Sequence, residues 1–249
     1  MNSRILHKSL LNVSAVVALS LAVWGQCSDA NVTGKYGFGI HGFAKNAQPI
    51  SIAGYIKADG KGTFTATESG SIGGTIFTNV PVSGTYSINP DCTGSAIVKA
   101  PKAVNHFNLV VVSGGKSLQT VSADAGNVEI EVVQAQGKAA CTLAGLKGTF
   151  GIQSSGTFLG VGSVAFDGVF TLDGSGKVSG IESGSLDGAI FTRQSVSGSY
   201  TVASNCTGTM TIMIGNQTEH SSFVVTNGGK GMLLVETDPN TVVSGFGQQ

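Results

Sequence analysis

Apolar and polar residues alternate with a period of two along most of this chain. Ile50, Ile52, Gly54, Ile56 and Ala58 alternate with Ser51, Ala53, Tyr55 and Lys57, and Val164, Phe166, Gly168, Phe170 and Leu172 repeat the pattern. That period belongs to a β-strand with one buried and one wet face. Asp59-Gly60 and Asp173-Gly174 follow these runs and supply the positive φ of a tight hairpin turn. Further strands are predicted at Tyr36–Ile40, Gly62–Ser69, Thr75–Val80, Val82–Ile88, Thr93–Lys99, Asn105–Ser113, Lys116–Ala123 and Val128–Gln134. Gly73-Gly74, Asn89-Pro90-Asp91 and Gly114-Gly115 mark turns between them. Beyond the first 25 residues no stretch carries a helical period. The expected fold class is all-β, with small antiparallel barrels preferred over sandwiches because the connections are short hairpins. Glycines inside strands (Gly54, Gly84, Gly168, Gly198) suit strongly coiled strands.

Shifted by 114 positions, the chain lies on itself. Ser69–Gly94 (SGSIGGTIFTNVPVSGTYSINPDCTG) meets Ser183–Gly208 (SGSLDGAIFTRQSVSGSYTVASNCTG). A period this long means two domains rather than a solenoid. The expected organisation is a first repeat over 26–138 and a second over 139–249, each with eight or nine strands. The cysteines obey the same rule: Cys27 to Cys92 and Cys141 to Cys206 are each 65 positions apart. Four cysteines allow three pairings. The duplication favours one bridge per repeat, each worth roughly 4 kcal/mol in the chain-entropy picture.

The first 25 residues read as a secretory signal peptide. Arg4, His7 and Lys8 precede an apolar run from Leu10 to Val23, with small residues before Gln26. A lipidated Cys27 is the alternative. No later segment is long and apolar enough for a helical span, and strands this short argue against a transmembrane barrel. The protein is therefore expected to be secreted or periplasmic, where disulfides persist.

Composition narrows the function classes. Fourteen basic and fourteen acidic residues cancel, and charged residues are only 11% of this glycine-rich chain. A chain without a basic excess is a poor partner for nucleic acid. No Cys-x-x-Cys or histidine cluster suggests a metal, and no cofactor motif is present. Asp59-Gly60-Lys61-Gly62 and Asp173-Gly174-Ser175-Gly176 lack the further carboxylates of a calcium loop and read as turns.

Parity singles out four interior polar positions. Glu68 shares a face with Phe64 and Ala66, and Glu182 with Val178 and Gly180. Tyr86 shares a face with Val82, Gly84 and Ile88, and Tyr200 with Val196, Gly198 and Val202. A carboxyl facing an apolar interior must be paired or have its pKa raised. Glu68 with Tyr86, and Glu182 with Tyr200, are thus candidate interior pairs: register-fixing hydrogen bonds, polar anchors in a ligand cavity, or acid–base pairs. His106 and His220 also match under the shift, and parity turns both toward solvent.

GTYSINPDCTG followed by VVVSGGK, and GSYTVASNCTG followed by FVVTNGGK, resemble a group of secreted bacterial β-rich proteins. That resemblance implies export and a repeated β fold and brings no activity with it. A more distant architectural likeness is to calycin and allene oxide cyclase-like barrels, and fold likeness does not license function. Three classes remain: a non-enzymatic module binding a small apolar ligand, which is preferred; a cell-surface interaction or structural protein; and a cyclase- or isomerase-like enzyme using the Glu–Tyr pairs.

Overall fold

The computed structural model describes residues 26–138 and 141–249. The predicted signal segment over 1–25 lies outside the described residues. Eight strands follow one another in the first repeat: β1 (Thr33–Ala44), β2 (Gln48–Asp59), β3 (Thr63–Ile72), β4 (Thr75–Ile88), β5 (Thr93–Ala100), β6 (Ala103–Val112), β7 (Ser117–Ser122) and β8 (Val128–Ala135). The second has β9 (Gly148–Phe158), β10 (Gly162–Leu172), β11 (Lys177–Leu186), β12 (Ala189–Val202), β13 (Thr207–Ile214), β14 (Gln217–Thr226), β15 (Gly231–Glu236) and β16 (Thr241–Gln248). Each set is an antiparallel meander that closes on itself, β1 pairing with β8 and β9 with β16. Closure leaves no free edge, which suits a protein made almost wholly of strands.

The two expected strands Thr75–Val80 and Val82–Ile88 form one continuous strand, β4. Pro81 lies within it where β4 is paired to β3 alone, since the ladder to β5 begins at Ser83, and a β-bulge lies two residues earlier. The register slips between Glu68 and Gly70, opposite Asn79, whose φ is +53°. The second barrel repeats the slip between Glu182 and Gly184, opposite Arg193 at φ +50°. The freed backbone N–H groups of Asn79 and Arg193 donate to the hydroxyls of Ser69 and Ser183 at 3.0 and 3.1 Å. A bulge re-aims the adjacent side chain. Here it lies immediately beside Glu68 and Glu182.

Both disulfides form as the duplication required, Cys27–Cys92 and Cys141–Cys206. Each ties the segment entering a barrel to the turn between its fourth and fifth strands. In the first barrel this segment makes a short 3-10 turn, Asp29–Asn31, that floors the barrel. The Asp29 carboxylate accepts from Ile88 N–H at 2.7 Å, and the Tyr86 hydroxyl donates to the Val32 carbonyl at 2.6 Å. Tyr36 adds a hydrogen bond to the Gly115 carbonyl at 3.1 Å. The opposite end is ringed by hairpin loops, and among the described residues no such plug closes it.

The barrels lie side by side. Small residues on the outer face of β1 and β2 receive larger ones from β14 and β16. A Cβ on Gly37 would stand 2.8 Å from Thr226 Cγ2 and 2.9 Å from the Val224 methyls, so only glycine fits. The Ser51 hydroxyl donates to the Val243 carbonyl at 2.6 Å. At one end Asn240 N–H donates to the Gly74 carbonyl at 3.0 Å, and at the other Gly228 N–H donates to the Gln136 carbonyl at 2.7 Å.

Candidate functional site: the chamber of the first barrel

Parity along each strand sets what faces inward. Tyr36, Phe38 and Ile40 point in from β1, Ile50, Ile52, Ile56 and Ala58 from β2, and Ala96, Val98 and Ala100 from β5. Phe107 and Leu109 from β6 and Leu118 from β7 complete the apolar wall. These side chains do not fill the space. They surround a chamber of about 480 Å³ that runs from the Tyr36–Tyr86 floor to a mouth at Lys45, Ala103, Asp124 and Asn127. That size lies within the usual range for small-molecule sites, roughly 300–1,000 Å³.

The second barrel has the same strands and almost no room: its interior space is about 50 Å³. The shift of 114 shows why. Where the first barrel has Ile52, Ile56 and Ala58, the second has Phe166, Phe170 and Leu172. Ala96, Val98 and Ala100 become Met210, Ile212 and Ile214, and Leu109 becomes Phe223. A few exchanges run the other way, Phe107 to Ser221 among them, but the bulkier set dominates. An eight-stranded barrel is just wide enough for its side chains to fill or to leave one small site.

Three glutamates face the chamber: Glu68 from β3, and Glu129 and Glu131 from β8. Burial pushes Glu68 up to about 7. Burial also pushes Glu131 to about 7, with Glu68 and Glu129 adding repulsion against a hydrogen bond from Thr120 that works the other way. That bond runs from Thr120 Oγ1 to Glu131 Oε2 at 2.7 Å. Glu129 is only 6% exposed, and burial followed by the Asp124 charge raises its pKa. Glu131 is partly accessible to a water-sized sphere although it lies deep in the protein, because it borders a chamber that water can enter.

The second barrel also holds three inward carboxyls, Glu182, Glu219 and Glu236. Glu182 rises to about 7 through burial and then Glu219. Glu236 rises to about 8 through burial, then through Glu219, Asp238 and Glu182, and its Oε2 has no hydrogen-bond partner.

The four residues singled out by parity all lie on inner faces, but the tyrosines serve the floors. The Tyr86 hydroxyl is committed to the Val32 carbonyl. The Tyr200 hydroxyl accepts from Gly174 N–H at 3.0 Å and donates to the Leu143 carbonyl at 3.4 Å. Among the described residues no hydrogen bond joins Glu68 to Tyr86 or Glu182 to Tyr200. Tyr86→Phe is expected to cost about 1 kcal/mol in urea unfolding, the net worth of one hydrogen bond, without changing ligand uptake. A change in uptake without a change in stability would instead give the hydroxyl a binding role.

Sequence reasoning missed Glu129 and Glu131, for a readable reason. On β8 the apolar Val128 and Ile130 would be taken as the core face, yet they are 70% and 50% exposed. Pairing with β1 sets Ile40 opposite Glu131, and pairing with β7 sets Thr120 opposite it, so the glutamates must face inward. A one-residue change of register would have reversed this.

His106 and His220 face solvent as parity required. Each ring Nδ1 lies 2.8 Å from a carboxylate oxygen, of Asp124 and Asp238, whose other oxygen accepts from the histidine's own N–H at 2.7 Å. The arrangement recurs in the barrel without a chamber, so it serves as a loop clamp. Asp59 and Asp173 act as turn caps: hydrogen bonds from Thr63 and Lys61, and from Ser175 and Lys177, hold both carboxyls down at about 2.

No protein-family model matches the chain, and no curated protein matches it. Among solved structures, kievitone hydratase from Nectria haematococca is similar at 7% identity and a TM-score of 0.29, over 88% of this chain and 90% of that one. CghA with Sch210972 is similar at 7% identity and a TM-score of 0.27, over 86% and 88%. Likenesses this loose carry no argument about chemistry.

Proposed function

We propose that this protein is a binding module that takes up one small apolar molecule in its first barrel. The observation that carries the reading is the contrast between two eight-stranded barrels of the same strand order, one hollow at about 480 Å³ and one filled to about 50 Å³. Chance underpacking is a poor account of an interior that large, since protein cores are close-packed and voids are destabilising. The chamber offers apolar walls, a few convergent carboxyls and an entrance at one end, the common make-up of a ligand site. The hydroxyls of Tyr36 and Tyr86 on its floor are taken up by the backbone carbonyls of Gly115 and Val32, and we read the chamber as a site that holds rather than transforms.

The protein works outside the reducing cytoplasm on this reading. Two disulfides suit an extracellular or periplasmic setting. Among the described residues no helix is long and apolar enough to cross a membrane. Residues 1–25 are proposed as the export signal, with 26–138 and 139–249 as the two domains. A second reading, a surface interaction protein, draws on one feature. Phe43, Val121, Val128 and Ile130 stand exposed on the outside of the first barrel, where they could meet a partner.

Fluorescence titration with the neutral apolar dye N-phenylnaphthylamine tests the main reading. One dye per chain is expected, with emission shifted to that of an apolar setting. No uptake by the folded, disulfide-bonded chain would sink the reading.

A further inference from the structure

We infer that the chamber of the first barrel accepts an aliphatic amine with an apolar tail, the ammonium seated among Glu68, Glu129 and Glu131. This inference rests on the reading of the barrel as a binding chamber and names the class of its ligand.

The geometry of the polar groups carries it. Every glutamate of the chamber is inward-facing, and the one cation on its lining is Lys45, at the mouth. Among the described residues no ion pair joins Lys45 to any of them. Glu129 is 94% buried, being 6% exposed, and lines the chamber. Among the described residues it makes no hydrogen bond or ion pair. Glu68 is likewise without one, and Glu131 has a single donor, Thr120. Glu131 lies within electrostatic reach of both others. The chamber thus gathers three carboxyls, and among the described residues only Glu131 has a hydrogen-bond partner, Thr120. An ammonium brings three donors and a positive charge, and it relieves the repulsion among the carboxyls. A hydroxyl brings a single donor. A fatty acid would add a further carboxyl to the three glutamates and to Asp124 at the mouth.

The apolar tail follows from the walls, where Phe38, Ile52, Ile56 and Leu109 offer no polar partner. The second barrel makes the contrast. It too gathers three carboxyls, yet about 50 Å³ leaves no space for a tail.

Displacement of N-phenylnaphthylamine, whose aryl nitrogen is neutral near pH 7, tests the inference on the full disulfide-bonded chain. Decylamine, decanol and decanoate share a tail and differ in head group. Decylamine is expected to displace the dye at a concentration about tenfold below that of decanol, with decanoate weakest. Glu129→Gln combined with Glu131→Gln is expected to erase the amine preference, decylamine and decanol then displacing bound dye at the same concentration. If the dye binds and decanol or decanoate competes as well as decylamine, the amine class is wrong and the binding chamber stands. If the dye does not bind at all, the binding reading fails, and this inference with it. The wild-type ranking decides the matter even if the double variant does not fold.

Discussion

Ala96→Met together with Ala100→Ile is expected to abolish dye uptake while leaving the protein folded and slightly more stable. Both alanines line the chamber, and the duplication shows what the same positions tolerate when filled: Met210 and Ile214 in the second barrel. The substitutions place the second barrel's own side chains in the matching places of the first. Apolar groups that enter an existing void gain contacts without displacing neighbours. Filling a cavity in this way commonly adds about 1 kcal/mol to stability. Loss of affinity should be far larger, more than about tenfold, because the bound molecule and the new side chains compete for one volume. Dye titration and urea unfolding on the same sample give both readouts. Undiminished uptake by a folded variant would mean that the dye binds elsewhere, on the exposed apolar face of β7 and β8 or between the barrels. Lost uptake with lost stability would mean that the walls cannot accept the larger groups.

Glu236→Gln is expected to stabilise the protein above neutral pH and to do little near pH 5. In the native state Glu236 keeps its proton up to about pH 8, whereas an unfolded glutamate releases it near 4.3. Between those values the native state binds more protons than the unfolded one, so stability falls as pH rises. Glu68, Glu131 and Glu182 act in the same sense up to about 7. Asp59 and Asp173 act in the opposite sense. Their stabilisation is present above the ordinary carboxylate range and is lost as pH falls toward about 2. These groups together place maximal stability on the acid side of neutrality. Glu236 contributes most, since it is 5% exposed and faces Glu182, Glu219 and Asp238 with one oxygen unpartnered. One pKa unit corresponds to about 1.4 kcal/mol, so the rise from 4.3 to about 8 sets an upper bound of about 5 kcal/mol on the gain from glutamine above pH 8. Thermal or urea unfolding across pH 4 to 9 reads it directly. An equal effect at pH 5 and pH 9 would show that packing, not charge, governs the site.

Some of this was legible in single strands. The inward Glu68 and Glu182 follow from parity alone, because their strands alternate cleanly up to the bulge. Tyr86 and Tyr200 were placed on the right face as well. Where their hydroxyls donate, to carbonyls at the barrel floor, depends on segments more than 50 residues away in sequence. Glu129 and Glu131 were hidden because β8 offers two plausible faces, and its outward one is the more apolar. Only pairing with β1 and β7 chooses between them.

The sequence by itself pointed to an all-β chain, to two segments that match under a shift of 114, and to one disulfide in each as the favoured pairing. Those features are local or periodic: alternation, turn residues at fixed places, and a constant 65-residue interval between cysteines. Tertiary structure decided that each copy closes into a barrel, that the two barrels pack with the Gly37 face against Val224 and Thr226, and that one is hollow. Hollowness is a sum over eight strands. No single exchange such as Ala96 for Met210 empties or fills a barrel, and the volume appears only when closure brings all the inward side chains around one axis.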